Sequence, residues 1–356
     1  MKHRGGSTIT RRTFLRGSTS LVVAGALTPA FARPASAQDN LVVVNTWGGS
    51  WTAAEEASYF KPFTEKTGIQ VKTVAPVSFA KLKAQVQTKS YEWDVSVINA
   101  MELRQGEIEG LLEPIDWTLV NRANLWPNAV YAQGIGAVAL ATALTYRKDK
   151  FPGGGPKSWA DFWDVKRFPG PRSLYNRPYT AMAFALLADG VATDKLFPMD
   201  MDRAFRKLNE IKPHIKVWWT QASQSQQLIR DGEVVMLPMW NARATELSDQ
   251  GVPVELVWNQ AESYATYWLV AKGTPRAKNA WRFIDFAVQA GPQAEFCKRM
   301  AYGPLNPKAF ELVSGEQARR MPTYPEHAKL AFVPDPGWLA PNLPMVRERF
   351  SQWLAS

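Results

Sequence analysis

Leu41-Val42-Val43-Val44-Asn45-Thr46-Trp47-Gly48-Gly49, residues 41–49, is a short apolar run that passes into a polar, glycine-rich loop. A brief stretch with no polar alternation reads as a strand covered on both faces, which is how strands of parallel sheets are written. Downstream, Ala53 to Thr67 has helical spacing and is closed by Gly68, and Ile69, Val71 and Val74 mark a second strand over residues 69–74. That is a β-α-β unit. Phe79 to Thr88 reads as another helix, Asp94 to Ile98 as another buried strand, and Glu102 to Gly110 as the helix after it. Repetition of the unit predicts a doubly wound α/β lobe. In such sheets ligands gather beyond the carboxyl ends of the strands, which directs attention to Asn45 through Trp51 and Asn99 through Met101.

Further along, Ala137 to Tyr146 is apolar and long enough to pass from one lobe to another, or to serve as an ordinary core strand. The loop Phe151-Pro152-Gly153-Gly154-Gly155-Pro156 follows, then Ser158 in the position of a helix cap with Asp161 three residues on. A strand from Arg172 to Leu174 opens a second α/β pattern. It continues through helical stretches Met182 to Asp189, Met201 to Ile211 and Ser223 to Arg230, and a turn and strand at Gly232 to Leu237.

The N-terminus carries a different signal. Thr10-Arg11-Arg12-Thr13-Phe14-Leu15-Arg16 precedes a weakly apolar run, Leu21 to Ala32, and then Ala35-Ser36-Ala37. Paired arginines, a short apolar segment and small residues in an Ala-x-Ala site form a twin-arginine export signal, residues 1–37, cut after Ala37. Its partners would be the Tat export machinery and a signal peptidase, and its destination the periplasm. The apolar run is far shorter than the roughly twenty residues a membrane-spanning helix needs, so removal is expected rather than anchoring. No Cys follows it, which argues against a lipid anchor.

Removal also changes the charge argument. The whole chain of 356 residues carries a formal +10, but Lys2, Arg4, Arg11, Arg12, Arg16 and Arg33 lie in the signal with no acid to offset them, leaving about +4. The remaining Lys and Arg are scattered among Asp and Glu, so no phosphate-tracking groove and no nucleic-acid partner is expected. Some 320 residues suit two lobes of ordinary domain size. Cys297 stands alone, so no disulfide can form within the chain, and burial of aromatic residues, fifteen Trp among them, must supply the core.

Several segments, in order, resemble the bacterial type II solute-binding proteins, particularly those similar to spermidine/putrescine-binding proteins. They are Val44-Asn45-Thr46-Trp47-Gly48-Gly49, Trp93-Asp94-Val95, Gly110-Leu111-Leu112-Glu113-Pro114-Ile115-Asp116, Ser158-Trp159-Ala160-Asp161, Gly232-Glu233-Val234 and Met239-Trp240-Asn241. Ala280-Trp281-Arg282-Phe283-Ile284-Asp285-Phe286 and Tyr302-Gly303-Pro304-Leu305-Asn306-Pro307 complete the set. The resemblance implies a type II periplasmic binding protein fold, two doubly wound α/β lobes joined by crossover hinge strands that close over a ligand. One lobe would comprise residues 38–143 and 266–311, the other 144–265 and 312–356. It also implies a monomer that takes a small-molecule solute to an ABC transporter permease.

The expected ligand contacts follow from chemistry and from the resemblance together. Trp47, beside paired glycines at a strand end, can offer its ring face to a cation or a planar group. Trp51 either joins it or packs at a helix start, and Asn99 and Met101 occupy the next strand end. Trp240 and Asn241 fall where the family has an aromatic wall. On the return crossover, which carries Tyr264, Tyr267 and Trp268, Tyr267 matches a family ligand contact best. Where polyamine binders carry acidic residues this chain reads Leu174-Tyr175-Asn176-Arg177-Pro178-Tyr179-Thr180. A bound ammonium needs a carboxylate partner, whereas Arg177 suits a carboxylate or phosphate, with Tyr175 and Thr180 beside it. A polyamine and an anionic or zwitterionic solute therefore both stand as ligands, and Arg177 turned to solvent is the structural alternative.

Catalysis finds little support. His214 and His327 read as surface residues outside any metal-ligand spacing, and Cys297 as a packed residue in the helical stretch Gln293 to Met300. No nucleophile elbow, phosphate loop or dinucleotide fingerprint is present. Neither an enzyme, a cofactor nor a metal is expected.

Overall fold

The computed structural model describes residues 40–356; the twin-arginine segment and the cut after Ala37 lie outside the described residues. The strands are β1 (Leu41–Asn45), β2 (Gln70–Val74), β3 (Val95–Asn99), β4 (Ile135–Arg147), β5 (Arg172–Tyr175), β6 (Ile215–Trp219), β7 (Met236–Trp240), β8 (Val254–Val270) and β9 (Gly303–Pro304). They lie in the order β2-β1-β3-β8-β4-β7-β5-β6, with β9 beside β4. β1 is parallel to β2 and β3, and β5 is parallel to β6 and β7. These are the two doubly wound halves the repeats foretold.

What joins them is a long antiparallel ladder. β8 pairs with β3 at one end, from Val95 opposite Val270 to Asn99 opposite Thr266, while β4 pairs with β7 at its other end, from Thr142 opposite Trp240 to Tyr146 opposite Met236. Between them β4 and β8 run side by side from Ile135 opposite Trp268 to Arg147 opposite Val254. The apolar run read as Ala137 to Tyr146 is thus a crossing strand, longer by two residues at its start and one at its end. A third segment joins the ladder where Phe332 donates to the Ala261 carbonyl and accepts from the Ser263 amide, at 2.9 and 2.8 Å. Alternate residues of β4 are small, Ala137, Ala139, Ala141 and Ala143, and Ala139 faces Ala265 across the ladder.

Helices fill the crossovers as the pattern requires. The stretch after β1 is one continuous helical run, Gly49–Glu55, a π-helical turn Glu56–Phe60, and Lys61–Thr67, ended by Gly68 at φ 75°. A residue with a side chain would be strained there. The helix after β3 begins two residues earlier than its spacing suggests, at Ala100, because the Asn99 side chain accepts from the amides of Met101 and Glu102. Ser158 does cap the helix Trp159–Trp163, its hydroxyl accepting from Asp161 N. Trp159 in turn donates its indole N–H to the Gln260 carbonyl at 2.9 Å and receives the Gln260 side-chain oxygen on its backbone amide at 3.1 Å. That brace holds Gln260 at φ 60°, an unfavourable conformation for a side chain, where β8 departs from regular pairing.

Each lobe has its own core. Trp51, Phe60, Phe63, Trp268, Trp281 and Phe283 pack together in the first; Trp159, Phe162, Phe184, Leu208, Leu339 and Phe350 pack together in the second. One boundary moves. Val313, Ala318 and Met321, expected in the second lobe, pack into the first lobe's core, and Phe332 is the first buried residue after them to join the second. His327 is half-buried rather than free on the surface: its ring lies flat on Trp258, centroids 4.0 Å apart, and desolvation lowers its pKa.

The deepest polar anchor belongs to Asp94, fully buried before β3. Its carboxylate accepts from Val43 N at 2.8 Å, from Arg276 Nε at 2.7 Å and from the Thr274 hydroxyl, tying β1 and the start of the helix Ala277–Ala287 to β3. Removing one member of such a pair leaves a buried guanidinium and amide without partners. Asp94→Ala is expected to lower unfolding free energy by about 3–5 kcal/mol in urea titrations.

Candidate functional site

Two segments past strand ends meet the β8 crossing strand. Asn99 and Met101 come from the end of β3, Arg177 and Tyr179 from the end of β5, and Tyr264 and Tyr267 from β8 itself. With Tyr131 and the turn Val333-Pro334 they enclose a cavity of about 50 Å³, room for one end of a small solute. First-lobe and second-lobe side chains face each other across it.

Arg177 dominates its chemistry. The residue immediately precedes Pro178, whose fixed φ and missing N–H suit the first position of the helix Pro178–Ala188. Its guanidinium lies over three tyrosine rings, 4.6 Å from the centroid of Tyr179, 5.2 Å from Tyr264 and 5.9 Å from Tyr175. Ring faces stabilise the cation without using its N–H groups. No hydrogen bond or ion pair to Arg177's side chain is seen among the described residues. Burial works against the charge, but neighbouring groups, Tyr179 first and Glu262 next, outweigh it and drive the pKa up. Of those neighbours, Glu262 is the one ordinarily ionised near neutral pH. The Tyr179 hydroxyl, buried at the same cavity, has no hydrogen-bond partner. An unpaired guanidinium and an unpaired hydroxyl together ask for an acceptor from outside the chain.

Glu262 was not foreseen from the sequence. It is fully buried on β8, opposite Thr142, and both carboxylate oxygens lie 3.0 Å from the Thr180 hydroxyl, which can donate to one of them. Burial raises its pKa, while Arg177 and then Thr180 hold it down. Nothing in the local pattern of residues 254–270 marks this acid; it is conspicuous only once Arg177 is beside it.

Other expected contacts fall into three groups. Asn99, Met101, Arg177 and Tyr267 line the cavity together, although Asn99 spends its side chain on the helix cap and on Glu102, at 2.8 Å. Tyr175 and Thr180 lie behind that wall: Tyr175 stacks on Trp219 at 4.0 Å, and Trp240 meets both rings edge-on with its buried indole N–H unpaired. Thr180, expected to add a backbone donor for an anion, gives its hydroxyl to Glu262. Trp51 and Asn241 do not reach the cavity. Trp51 is 7 % exposed and packs on Phe296 and Tyr302 at 5.1 and 5.6 Å, so the packing alternative is the correct one. Asn241 is a brace, donating to the Ala301 carbonyl at 2.6 Å and accepting from Ala141 N at 3.1 Å. Trp47 is 43 % exposed and outside the cavity wall.

The Trp47 loop is held from beneath. Gly48 N donates to the Thr52 hydroxyl at 3.0 Å, the Thr52 and Thr46 hydroxyls lie 2.9 Å apart, and Thr46 donates to Glu55. Glu55 is wholly buried, and desolvation, opposed by the Thr46 hydrogen bond, pushes its pKa up to about 8.

A larger cavity of about 390 Å³ lies at another junction of the lobes, between Ser50 and the helix Asn241–Asp249. Its charged groups are largely paired: Arg243 with Glu246 and Ser50 at 3.0 and 3.2 Å, and Arg320 with Asp249 at 2.5 Å. The buried Nε of Arg243 has no hydrogen-bond partner there. Among the described residues, no cluster of His, Cys, Asp or Glu is placed to hold a metal, and no helix is long and apolar enough to cross a membrane.

Comparisons with known proteins agree with this architecture. Residues 58–326 match the family model described as bacterial extracellular solute-binding protein. The gamma-aminobutyric acid-binding protein of Pseudomonas aeruginosa is 34 % identical over 335 residues, 92 % of this chain and 94 % of that protein. Among solved structures, an ABC transporter substrate-binding protein from Bradyrhizobium japonicum USDA 110 has 36 % identity and a TM-score of 0.85, covering 88 % of this chain and 99 % of that one. The binding protein AgtB of A. tumefaciens R10, in complex with agropinic acid, has 32 % identity and a TM-score of 0.79, covering 89 % and 99 %.

Two predictions follow from these surroundings. Trp51→Ala should cost about 3–5 kcal/mol in chemical unfolding, whereas Trp47→Ala should cost less than about 1 kcal/mol. Glu55 keeps its proton in the folded chain up to about pH 8 but loses it near 4.5 when unfolded, so the folded state binds more protons between those values. Stability should fall as pH rises through that window, and Glu55→Gln should flatten the fall and gain on the order of 3 kcal/mol at pH 8.

Proposed function

This chain belongs to the bacterial extracellular solute-binding proteins, the substrate-capturing components of ABC transporters, and from that membership we propose that its ligand is a small solute bearing a carboxylate, held by Arg177. The observation that carries the proposal is the guanidinium itself, caged on three tyrosine faces with its N–H groups free of protein acceptors. A planar fork of donors pairs two-point with a carboxylate, and the unpartnered Tyr179 hydroxyl supplies a further donor. A polyamine would place ammonium groups against this cation, at a Coulomb cost that low dielectric magnifies. Glu262 softens that cost but cannot pair with the ammonium groups, because it is not part of the cavity wall. The relatives support the same choice, since one is described as binding gamma-aminobutyric acid and another is seen with agropinic acid, both of them carboxylic acids.

Capture proceeds by closure. With Asn99 and Met101 on one lobe, Arg177 and Tyr179 on the other, and β4 and β8 as the hinge, a carboxylate bound at Arg177 favours the arrangement in which both walls touch it. The closed form is then what a membrane permease receives. We further read residues 1–37 as a twin-arginine signal, the periplasm as the site of action, a monomer as the working unit, and binding without turnover as the activity.

Calorimetric titration with carboxylate-bearing solutes tests the assignment. A binding solute should leave unchanged in amount after prolonged incubation and should shrink the radius of gyration in solution scattering. Arg177→Gln should weaken it by about a hundredfold with the unfolding midpoint preserved. Tight binding of putrescine that survives this substitution would remove Arg177 from the site.

A further inference from the structure

The cavity of about 390 Å³ at the other junction of the lobes shares no residue with the one at Arg177. Both lobes build it. Ser50 comes from the first turn of the helix after β1, Lys298 and Arg299 from the last turn of the helix Ala290–Met300, and Arg243 from the helix Asn241–Asp249 of the second lobe. Arg320 enters from the segment whose Ala318 and Met321 pack in the first lobe's core. Four cations thus line the space against two acids, Glu246 and Asp249. The arginines are only partly spent on those acids. Arg243 gives one nitrogen, Nη1, to Glu246 and Ser50, at 3.0 and 3.2 Å, while its Nε is buried without a partner. Arg320 likewise gives one nitrogen, Nη2, to both oxygens of Asp249, at 2.6 and 2.5 Å. Among the described residues no ion pair or hydrogen bond engages Arg299, and Lys298 holds Glu295, which is outside the cavity wall, at 2.9 Å.

We propose that this cavity is a second binding site, one that takes a small free oxyanion of the sulfate or phosphate kind and does so independently of the solute held at Arg177. A guanidinium carries its N–H donors in a fixed planar fork, and a buried donor left without an acceptor costs free energy. The Arg243 Nε is such a donor, and the chain supplies no acceptor for it. Glu246 and Asp249 do not close the space to an anion. Each is already held by an arginine, and their side chains are 43 % and 60 % exposed, so water screens the charge that remains. A tetrahedral oxyanion presents acceptors in several directions at once. It can take the Arg243 Nε from the second lobe and donors of Arg299 or Arg320 from the first, in charge-assisted hydrogen bonds that no single lobe provides. The ion therefore ties the lobes together beside the contacts that already cross this junction, Arg243 to Ser50 and Arg320 to Asp249. Closure is the motion that captures the solute, so the two sites reinforce one another without sharing a residue.

The test is calorimetric titration of the purified protein with sodium sulfate and with sodium phosphate, each against sodium chloride at matched ionic strength, because general screening acts alike in all three. The wild type should give saturable heat with the two oxyanions beyond the chloride control. Arg243→Gln and, separately, Arg299→Gln should each weaken sulfate by about tenfold, with the unfolding midpoint in chloride preserved. Arg299 is exposed, so its variant keeps the test decisive if Arg243→Gln does not yield folded protein. Saturating sulfate should also reduce the radius of gyration of the wild type, and binding without that compaction overturns the tie between the lobes. Heat that never saturates, or that chloride reproduces, overturns the site itself, as does sulfate binding that both variants leave intact. Arg177→Gln separates this site from the solute cavity, since it should leave sulfate affinity unchanged. If it abolishes sulfate binding while Arg243→Gln does not, the ion belongs at Arg177 and the second site falls while the carboxylate reading stands. If instead it spares carboxylate solutes and sulfate still responds to Arg243→Gln, the carboxylate reading falls and the second site stands.

Discussion

The ladder between β4 and β8 is the constraint on which everything else in this molecule depends. Each strand belongs to both lobes, pairing with β3 or β7 at its ends and with its fellow throughout. Two cores that share almost no buried side chains are therefore joined by backbone hydrogen bonds, which resist sliding but permit bending. The Arg177 cavity follows from the same arrangement. The ends of β3 and β5 point at each other because both lobes hang from one pair of strands, and the tyrosines of β8 line the floor between them.

Within that surface the governing quantity is charge. A guanidinium withdrawn from water must be stabilised, and here the work is divided among ring faces in front and a carboxylate behind. The division matters because ring faces leave hydrogen-bond donors unspent while a direct ion pair would consume them. Thr180 illustrates the cost of this arrangement to sequence reading: a residue well placed to meet a ligand is already engaged in orienting the acid that serves the cation.

Much of the fold was legible because the β-α-β repeat and its glycine and serine punctuation are local signals. Gly68 ends its helix and Ser158 begins one as their types suggest. The long helix Pro336–Ala355 was not legible, because Pro341 and Pro344 inside it read as breakers, and neither was β8 at its full length, since polar residues such as Gln260 and Glu262 interrupt its apolar run. The site was readable only in part. Arg177 was found as a charge where the resemblance led one to expect an acid. Tyr179 and Glu262 gain meaning from three-dimensional neighbours, which no spacing announces. Trp51 and Asn241 lie away from the Arg177 cavity because strand-end residues face a cleft or a core according to which side of the loop they occupy, and residue type does not distinguish the two.

The alternate alanines of β4 carry a mechanical consequence. Ala139 and Ala141 lie opposite Ala265 and Ser263, and Ala143 and Ala261 pack with Ala141, so small side chains meet along this part of the ladder. Bulky side chains across a bending ladder would interlock and have to be prised apart at each opening, so a strip of methyl groups makes the pivot compliant. Resistance to opening is thereby displaced to the rims, where Arg243 reaches Ser50 and Arg320 reaches Asp249 across the lobes. The molecule behaves less like a stiff spring than like a soft pivot with fasteners at its edge, and such a device can be retuned by surface residues without disturbing either core.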